Sequence, residues 1–255
     1  MHLTKTECET KNKVRTKAAR DSPMTVLTLK PKLRPRVVES DPVPLLLAGA
    51  FGAPTLSEMF PASQTAAPAS AFILGRIAAG AGPVLWVQDA MTRRNSGVPY
   101  LPGQRHTLLK ATLSRAEDVM IAMEEGLQAR ALAAVVGEVW GDARAVDFTA
   151  TRRLAIRAER HGVACWLIRH AASPDLSGAR NRWRLSALPS AAHPDDPQAP
   201  GRARWQAELF RSRLARPGKW VVCHDQSSGR LDFSAAVSDE PPGEDRRTDR
   251  RSAGI

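Results

Sequence analysis

The hydrophobic pattern of residues 115–168 predicts two helices that alternate with two buried strands. Apolar residues of the first helix recur at spacings of three and four and so share one face: Ala116, Val119, Met120, Met123 and Leu127. The uninterrupted apolar run from Ala131 to Val136 is too short to cross a membrane and is typical of a parallel strand covered on both faces. The second helix ends at Gly162, and Val163 to Ile168 then repeat the buried-strand pattern. Two such units predict a wound, mainly parallel α/β sheet.

The residues before this region predict three more strands and one more helix. The strands are expected at Thr55 to Phe60, Pro83 to Val87 and Thr107 to Ala111, and the helix at Ser70 to Ala79. Ala90 to Gly103 is expected to be a connecting loop. The predicted order β-α-β-β-α-β-α-β therefore contains five strands with helices between most of them.

Two local signals mark a helix start and the end of a strand. Ser114 and Glu117 match the Ser-x-x-Glu pattern, so Ser114 is predicted to cap the helix that follows it. Gln88 and Asp89 come directly after the apolar strand, at the carboxyl end where α/β sheets place ligands. We interpret Asp89 as a carboxylate that caps a loop rather than a catalytic group, because no phosphate-binding sequence accompanies it.

After Ile168 the pattern changes to an alternation of polar and apolar residues, which is typical of strands with one exposed face. Four such segments, separated by turn-rich spacers, predict an antiparallel extension of the sheet: Arg182 to Leu188, Arg204 to Arg213, Lys219 to Asp225 and Gly229 to Phe233. Residues 41–170 are thus predicted to form the α/β core, and residues 171–235 the β extension of the same domain. Residues 1–40 are predicted to be a basic, disordered leader and residues 236–255 a disordered tail.

Most of the positive charge belongs to the leader. The chain has a formal net charge of +11 and a pI near 10.4, a balance that favours polyanions or an acidic partner. Residues 1–36 carry 10 Lys and Arg against 3 acidic residues. The rest of the chain is therefore much closer to neutrality than the total suggests.

Cysteine spacing and apolar run lengths limit the compartment and the kind of site. The three cysteines have no pairable spacing, which predicts a reducing compartment and hence the cytoplasm. No apolar run approaches the length of a membrane span, so no membrane contact is expected. The histidines and cysteines show no metal-ligand spacing, so no metal site is expected either.

The residues that bind phosphates are missing from the first strand-to-helix turn. A phosphate-binding loop has the pattern G-x-x-x-x-G-K-[ST], because its backbone N–H groups surround the phosphates and its lysine neutralises their charge. The turn from Phe60 to Pro68 contains no glycine and no lysine. A nucleotide-hydrolysing core also needs an aspartate directly after the central strand, where this chain has Gly137 followed by Glu138. The sequence therefore predicts a protein that is not an enzyme and has no nucleotide cofactor.

Several segments are similar to one known family. Residues 122–138 (AMEEGLQARALAAVVGE), 147–163 (DFTATRRLAIRAERHGV), 179–185 (ARNRWRL) and 201–222 (GRARWQAELFRSRLARPGKWVV) resemble the ImuA family of SOS mutagenesis proteins, which is related to RecA and to the cell-division inhibitor SulA. The resemblance extends from about Thr55 to Phe233. It implies a RecA-like three-layer core that no longer hydrolyses nucleotides.

The resemblance also implies a role and partners. It implies an accessory protein in SOS-induced, error-prone translesion DNA synthesis, beside an ImuB-like protein and an error-prone replicative-type polymerase subunit, with RecA as a further candidate partner. Two other functions stay open. One is a RecA-like ATP-binding protein with an atypical phosphate loop, and the other is a SulA-like inhibitor of the cell-division GTPase.

Candidate contact residues combine cations with tryptophan, a pairing that can stack on bases. Six residues are predicted to contact a partner or DNA: Arg180, Arg182, Trp183, Arg184, Arg204 and Trp205. Strand alternation would instead turn Trp183 towards the core. The loops that contact DNA in RecA-type modules correspond to Trp140 to Asp147 and Ala171 to Ala179, which carry only one arginine. Direct DNA contact is therefore expected to be weak or indirect.

Overall fold

The structure is a computed structural model that describes residues 53–63, 67–78, 80–100, 105–196, 198–225 and 229–235. All of these residues belong to one compact unit. The predicted leader (residues 1–40) and the predicted tail (residues 236–255) lie outside the described residues.

Five parallel strands form one half of the sheet: β1 (Leu56–Pro61), β2 (Val84–Asp89), β3 (Leu108–Leu113), β4 (Ala134–Trp140) and β5 (Ala164–His170). Their order across the sheet is β3-β2-β4-β5-β1, so the chain crosses over between strands. In register, Val136 of β4 lies between Trp86 of β2 and Trp166 of β5. The predicted wound parallel sheet is confirmed, and its carboxyl ends all meet at one edge.

Four helices connect these strands in the described part of the chain: α1 (Ala67–Leu74), α2 (Ala90–Ser96), α3 (Ala116–Gly126) and α4 (Phe148–His161). The side chain of Asp147 caps the start of α4 by accepting a hydrogen bond from the N–H of Ala150 at 2.7 Å. Gly162 ends α4 in the left-handed conformation (φ 73°), as its position in the sequence predicted. None of the described helices has the length and apolar character that a membrane span requires.

The C-terminal strands extend the sheet beyond β1. Strand β6 (Asn181–Leu188) pairs with β1 in parallel, and β7 (Ala203–Ser212), β8 (Gly218–Asp225) and β9 (Arg230–Ala235) then follow as antiparallel neighbours. The predicted antiparallel extension is confirmed. The described chain thus forms a single nine-stranded sheet of RecA-like layout.

Two local predictions are wrong. The segment after β2 is not a continuous loop, because Asp89 accepts a hydrogen bond from the N–H of Thr92 at 2.6 Å and so starts helix α2. Ser114 does not cap α3. The cap position falls one residue later, on Arg115, which makes no side-chain capping bond and instead pairs with Asp118 at 3.1 Å.

The core lies on both faces of the sheet, since successive strand side chains point to opposite sides. On one face, α1 covers a cluster that includes Phe72, Trp86 and Val136 and continues over the antiparallel strands. On the other face, α3 and α4 cover a second cluster that includes Met123, Val135 and Leu154. This arrangement leaves the carboxyl ends of the strands as the place where polar side chains gather.

Candidate functional site

A crevice opens at the carboxyl ends of β2 and β4. It has a volume of about 260 Å³ and lies between the start of α1 (Ala67, Ser70 and Ala71) and the segment from Ser96 to Tyr100. Gln88 of β2 and Glu138 of β4 contribute their side chains to its lining. Open α/β sheets bind their ligands in this position, so the crevice is the candidate functional site.

Three buried side chains from neighbouring strands meet at the base of the crevice. The Gln88 amide donates a hydrogen bond from Nε2 to Glu138 Oε2 at 2.8 Å and a second one to the carbonyl of Gly97 at 2.9 Å. His170, at the end of β5, places Nε2 3.4 Å from the same Glu138 oxygen and stacks on Trp140. All three of Gln88, Glu138 and His170 are at most 2% exposed.

The Glu138 carboxylate is only partly satisfied. Its Oε1 atom is buried and has no hydrogen-bond partner, and neither ring nitrogen of His170 forms a hydrogen bond. A buried carboxylate oxygen without a donor is costly, so this atom differs from an ordinary structural acceptor. Glu138 therefore presents to the crevice a carboxylate oxygen that none of its described neighbours satisfies.

Asp89, which also lies at this edge, has a structural role. Its Oδ1 atom accepts the N–H of Thr92 at 2.6 Å, and its Oδ2 atom accepts the N–H of Trp140 at 3.3 Å. The carboxylate thus caps α2 and ties it to the end of β4. Both oxygens are occupied by backbone donors, which agrees with the capping role inferred from the sequence.

The surroundings of Gly137 explain why this position carries no side chain. Gly137 faces α3, and a Cβ atom built on it would clash with Sδ of Met123. A side chain at Gly137 would therefore require the end of the Met123 side chain to move. Gly137 thus lets Met123 of α3 pack directly against β4.

A backbone N–H group at the start of the turn after β1 is also hydrogen-bonded within the protein. The N–H of Ala62 donates to the carbonyl of Leu185 in β6 at 2.8 Å, so this donor is not directed at a ligand. Residues 64–66 of the turn lie outside the described residues. Among the described residues that line the crevice there is no lysine or arginine.

A second polar cluster occupies the opposite face of the sheet at the same edge. Glu58 of β1 accepts hydrogen bonds from Arg182 Nε at 2.7 Å and from Ser177 Oγ at 2.8 Å. Arg182 packs over the rings of Phe60 and Phe210. Both oxygens of Glu58 are satisfied, and the cluster joins β1, β6 and the loop between β5 and β6.

The two loops that follow β4 and β5 are held to each other by Arg169. Its guanidinium donates to Asp175 at 2.6 Å and to Asp142 at 3.3 Å, and Asp142 also accepts the N–H of Ser173 at 2.9 Å. Arg169 is only 1% exposed. In the described structure the loops that would correspond to RecA-type DNA-contacting loops are therefore tied together through acidic side chains.

Three of the six predicted contact residues are buried. Trp183 and Trp205 are core residues that are 1% and 5% exposed, and Arg182 is 3% exposed in its pair with Glu58. Strand alternation turns these side chains inward, so none of them presents a surface to a partner. Their burial weighs against direct contact with a partner, and a contact role for these three residues stays a prediction.

The other three predicted contact residues reach the surface at separate places. Arg180 forms a two-point contact with Glu159 at 2.7 and 3.2 Å. Arg184 packs over Phe210 and lies 3.5 Å from Glu208, while Arg204 is half-buried on β7. The structure therefore does not bring the six residues into one site, and a contact role for these three stays a prediction.

Sequence reasoning missed His170 and Arg169 as site residues. Both directly follow the buried apolar run of β5, as Gln88 and Asp89 follow that of β2. The signal that singled out the end of β2 was thus present at the end of β5.

The described residues contain no group of three or more His, Cys, Asp or Glu side chains that could hold a metal ion.

Comparison with known proteins adds one relationship. No family model matches the chain. The chain is similar to Protein ImuA from two strains of Caulobacter vibrioides, each 29% identical over 215 residues, which cover 71% of this chain and 84% of the relative. The chain therefore resembles ImuA over most of its length. The resemblance to the ImuA family that the sequence indicated is confirmed.

The described lining of the crevice lacks the cations that usually bind a bare phosphate group. Its described lining has a carboxylate but no cation, and like charges at close range in a low-dielectric site repel strongly. The polar groups at its base can exchange hydrogen bonds with a small polar group. The carboxylate among them can also attract a cation.

Proposed function

We propose that this chain is a non-catalytic, RecA-like accessory protein in SOS-induced, error-prone translesion DNA synthesis. Homology to ImuA associates the chain with SOS mutagenesis. In this role the protein acts by contacting other proteins, and the partners are an ImuB-like protein and an error-prone polymerase subunit. RecA is a further candidate partner.

The observation that carries the proposal is the chemistry of the crevice. The RecA-like layout is intact, yet the described lining contains Glu138 with an unpartnered oxygen and no lysine or arginine. Phosphoryl transfer depends on cations that neutralise the transferring group. The position of the metal-holding carboxylate is taken by Gly137, against which the Met123 side chain packs. These features support a fold that is retained for its surfaces.

The loops after β4 and β5 support action through protein partners rather than through a DNA filament. Asp142 and Asp175 bind the buried Arg169 guanidinium, which leaves acidic side chains at the place where a DNA-binding module needs cations. Arg144 is the one arginine in the first of these loops, and the second has no cation before Arg180. Any DNA contact by these loops is expected to be weak.

A nucleotide titration tests the non-catalytic part of the proposal. We expect the purified full chain to show no saturable binding of Mg-ATP up to about 1 mM in calorimetry, and no hydrolysis. Micromolar binding that disappears when residues 62–66 are replaced by a Gly-Ser sequence would contradict it and favour the ATP-binding alternative. A Glu138→Gln variant serves as the control for loss of charge in the crevice.

Co-purification tests the partners. Tagged chain expressed from its own promoter during DNA damage is expected to retain the ImuB-like protein and the polymerase subunit, and its deletion is expected to lower damage-induced mutation frequency. Retention of the cell-division GTPase without any polymerase component would favour the SulA-like inhibitor instead. Mutation frequency that is unchanged by deletion would count against both the pathway and the role.

A further inference from the structure

A groove runs along α4 on the side of the sheet away from the crevice. We call it the α4 groove and define it by its lining, which has a volume of about 270 Å³: Phe148, Arg152, Ile156, Gly178, Arg180 and Arg213. Phe148, Arg152 and Ile156 are spaced by four residues and therefore share one face of the helix. The groove thus has one wall formed by helix α4. The other wall is formed by Gly178 and Arg180, which precede β6, and by Arg213, which follows β7.

Backbone contacts hold the two walls in place. Gly178 lies so close to the backbone of Arg152 that a Cβ atom would not fit, and its N–H donates to Oγ1 of Thr151 at 2.9 Å. The N–H of Arg213 donates to the carbonyl of Arg180 at 2.9 Å, which sets these two arginines side by side. The groove is therefore built before any partner arrives, and binding does not require the loop to order.

Two large apolar side chains at the groove remain exposed. Phe148 is 40% exposed and Ile156 is 45% exposed, although the other apolar side chains of α4 are buried under the sheet. The two side chains flank the groove, so a partner that covers them would bury apolar surface. Hydrophobic burial at these two residues gives a partner its anchor.

The charge around the groove is positive. Arg152 and Arg213 are exposed and form no salt bridge with another described residue, although Arg213 also acts electrostatically on Glu159. Arg180 is bound to Glu159, and the hydrogen bond from Arg180 holds the pKa of that carboxyl below its usual range. The lining thus contains three arginines, and the nearby Glu159 is already bound by one of them, Arg180. The groove therefore complements a ligand with negative charge.

We infer that the α4 groove binds a protein segment that presents acidic side chains around an apolar one. This inference rests on the proposed function, since it names the surface and the chemistry through which a partner is contacted. Single-stranded nucleic acid fits less well. Binding to phosphates needs several free cations and aromatic platforms, whereas the groove has two unpaired arginines and one aromatic ring, Phe148.

The test measures binding of the purified ImuB-like protein from the same genome to the full-length chain and its variants. We expect Ile156→Asp to weaken binding at least about tenfold, because it puts a charge into the apolar anchor. Arg152→Glu is expected to lower the association rate about tenfold at low salt, with a smaller difference at high salt. A fluorescent 20-nucleotide oligo-dT measured in parallel is expected to show no difference between the variants.

Matched controls on other surfaces separate the groove from general effects. Ile121→Asp places the same substitution on α3, where Ile121 is 60% exposed, and Arg130→Glu repeats the charge reversal at an exposed site. Both controls are expected to bind as the wild type does. Circular dichroism and urea unfolding show whether each variant keeps its fold.

The outcomes distinguish the two proposals. If the wild type binds the partner but Ile156→Asp and Arg152→Glu bind it equally well, the inference that the α4 groove binds the partner is wrong, while the proposed function stands. If the variants no longer bind oligo-dT but still bind the protein partner, the groove is a nucleic-acid-binding surface and the inference is wrong. If the wild type binds neither the ImuB-like protein nor the polymerase subunit, the proposed function fails, and the inference fails with it.

Discussion

Two buried glutamates at the same edge of the sheet are held in opposite ways. Glu58, on the face covered by α3 and α4, has both oxygens occupied by Arg182 and Ser177. Glu138, on the face covered by α1, accepts one bond from Gln88, and its second oxygen has no partner. The fully paired carboxylate joins strands, whereas the partly paired one lies where a ligand would bind. Equal burial therefore does not imply an equal role.

The largest expected effect comes from breaking the buried ion pair between Glu58 and Arg182. Glu58→Gln removes the charge opposite Arg182 and leaves that guanidinium buried without a counter-ion. We expect a loss of about 3–5 kcal/mol in the free energy of unfolding, measured by urea denaturation, because one partner of a buried ion pair has been removed.

Two variants check that the cause is the unpaired charge. Glu208→Gln is the matched control on an exposed pair, and it is expected to cost less than about 1 kcal/mol. The double variant Glu58→Leu with Arg182→Leu removes both charges and is expected to recover most of the loss. A loss below about 1 kcal/mol for Glu58→Gln would show that the cluster contributes little to stability.

An intermediate effect is expected at Gly137, which belongs to the strand of Glu138 but faces α3. Gly137→Ala forces its methyl group against Met123 and is expected to cost about 1–3 kcal/mol. If this contact is the cause, combining it with Met123→Ala costs less than the sum of the two single changes. Strict additivity in urea unfolding would instead show that α3 shifts freely, and the packing explanation for the missing carboxylate would fail.

The sequence allowed the strands to be predicted well, for a physical reason. Parallel strands covered on both faces are uninterrupted apolar runs, so β4 and β5 were visible as such, and alternation showed the antiparallel strands. Helix α2 was missed because its sequence, AMTRRNS, has no apolar face and its start depends on Asp89. The residue at which α2 begins could be found only from the hydrogen bond that caps the helix.

The polar clusters could not be predicted in the same way. Arg182 looked like a surface cation because its partner, Glu58, lies 124 residues away in the chain. The partly paired state of Glu138 depends on Gln88 and His170, which come from two other strands. Only the strand order brings them together, and local patterns carry no information on that order.

The smallest effect is expected at Glu138, where the substitution made at Glu58 is repeated. Glu138→Gln keeps an oxygen that can accept the Gln88 amide and replaces the unpartnered carboxylate oxygen with an amide that borders the crevice. Since a buried charge without full pairing is costly, we expect a change within about 1 kcal/mol, in the stabilising direction, in urea unfolding. The difference between the two Glu→Gln variants is then several kcal/mol for the same chemical change. A loss at Glu138 as large as that at Glu58 would mean that Gln88 and His170 hold this carboxylate as tightly as Arg182 holds the other, and the crevice would then be another structural pair.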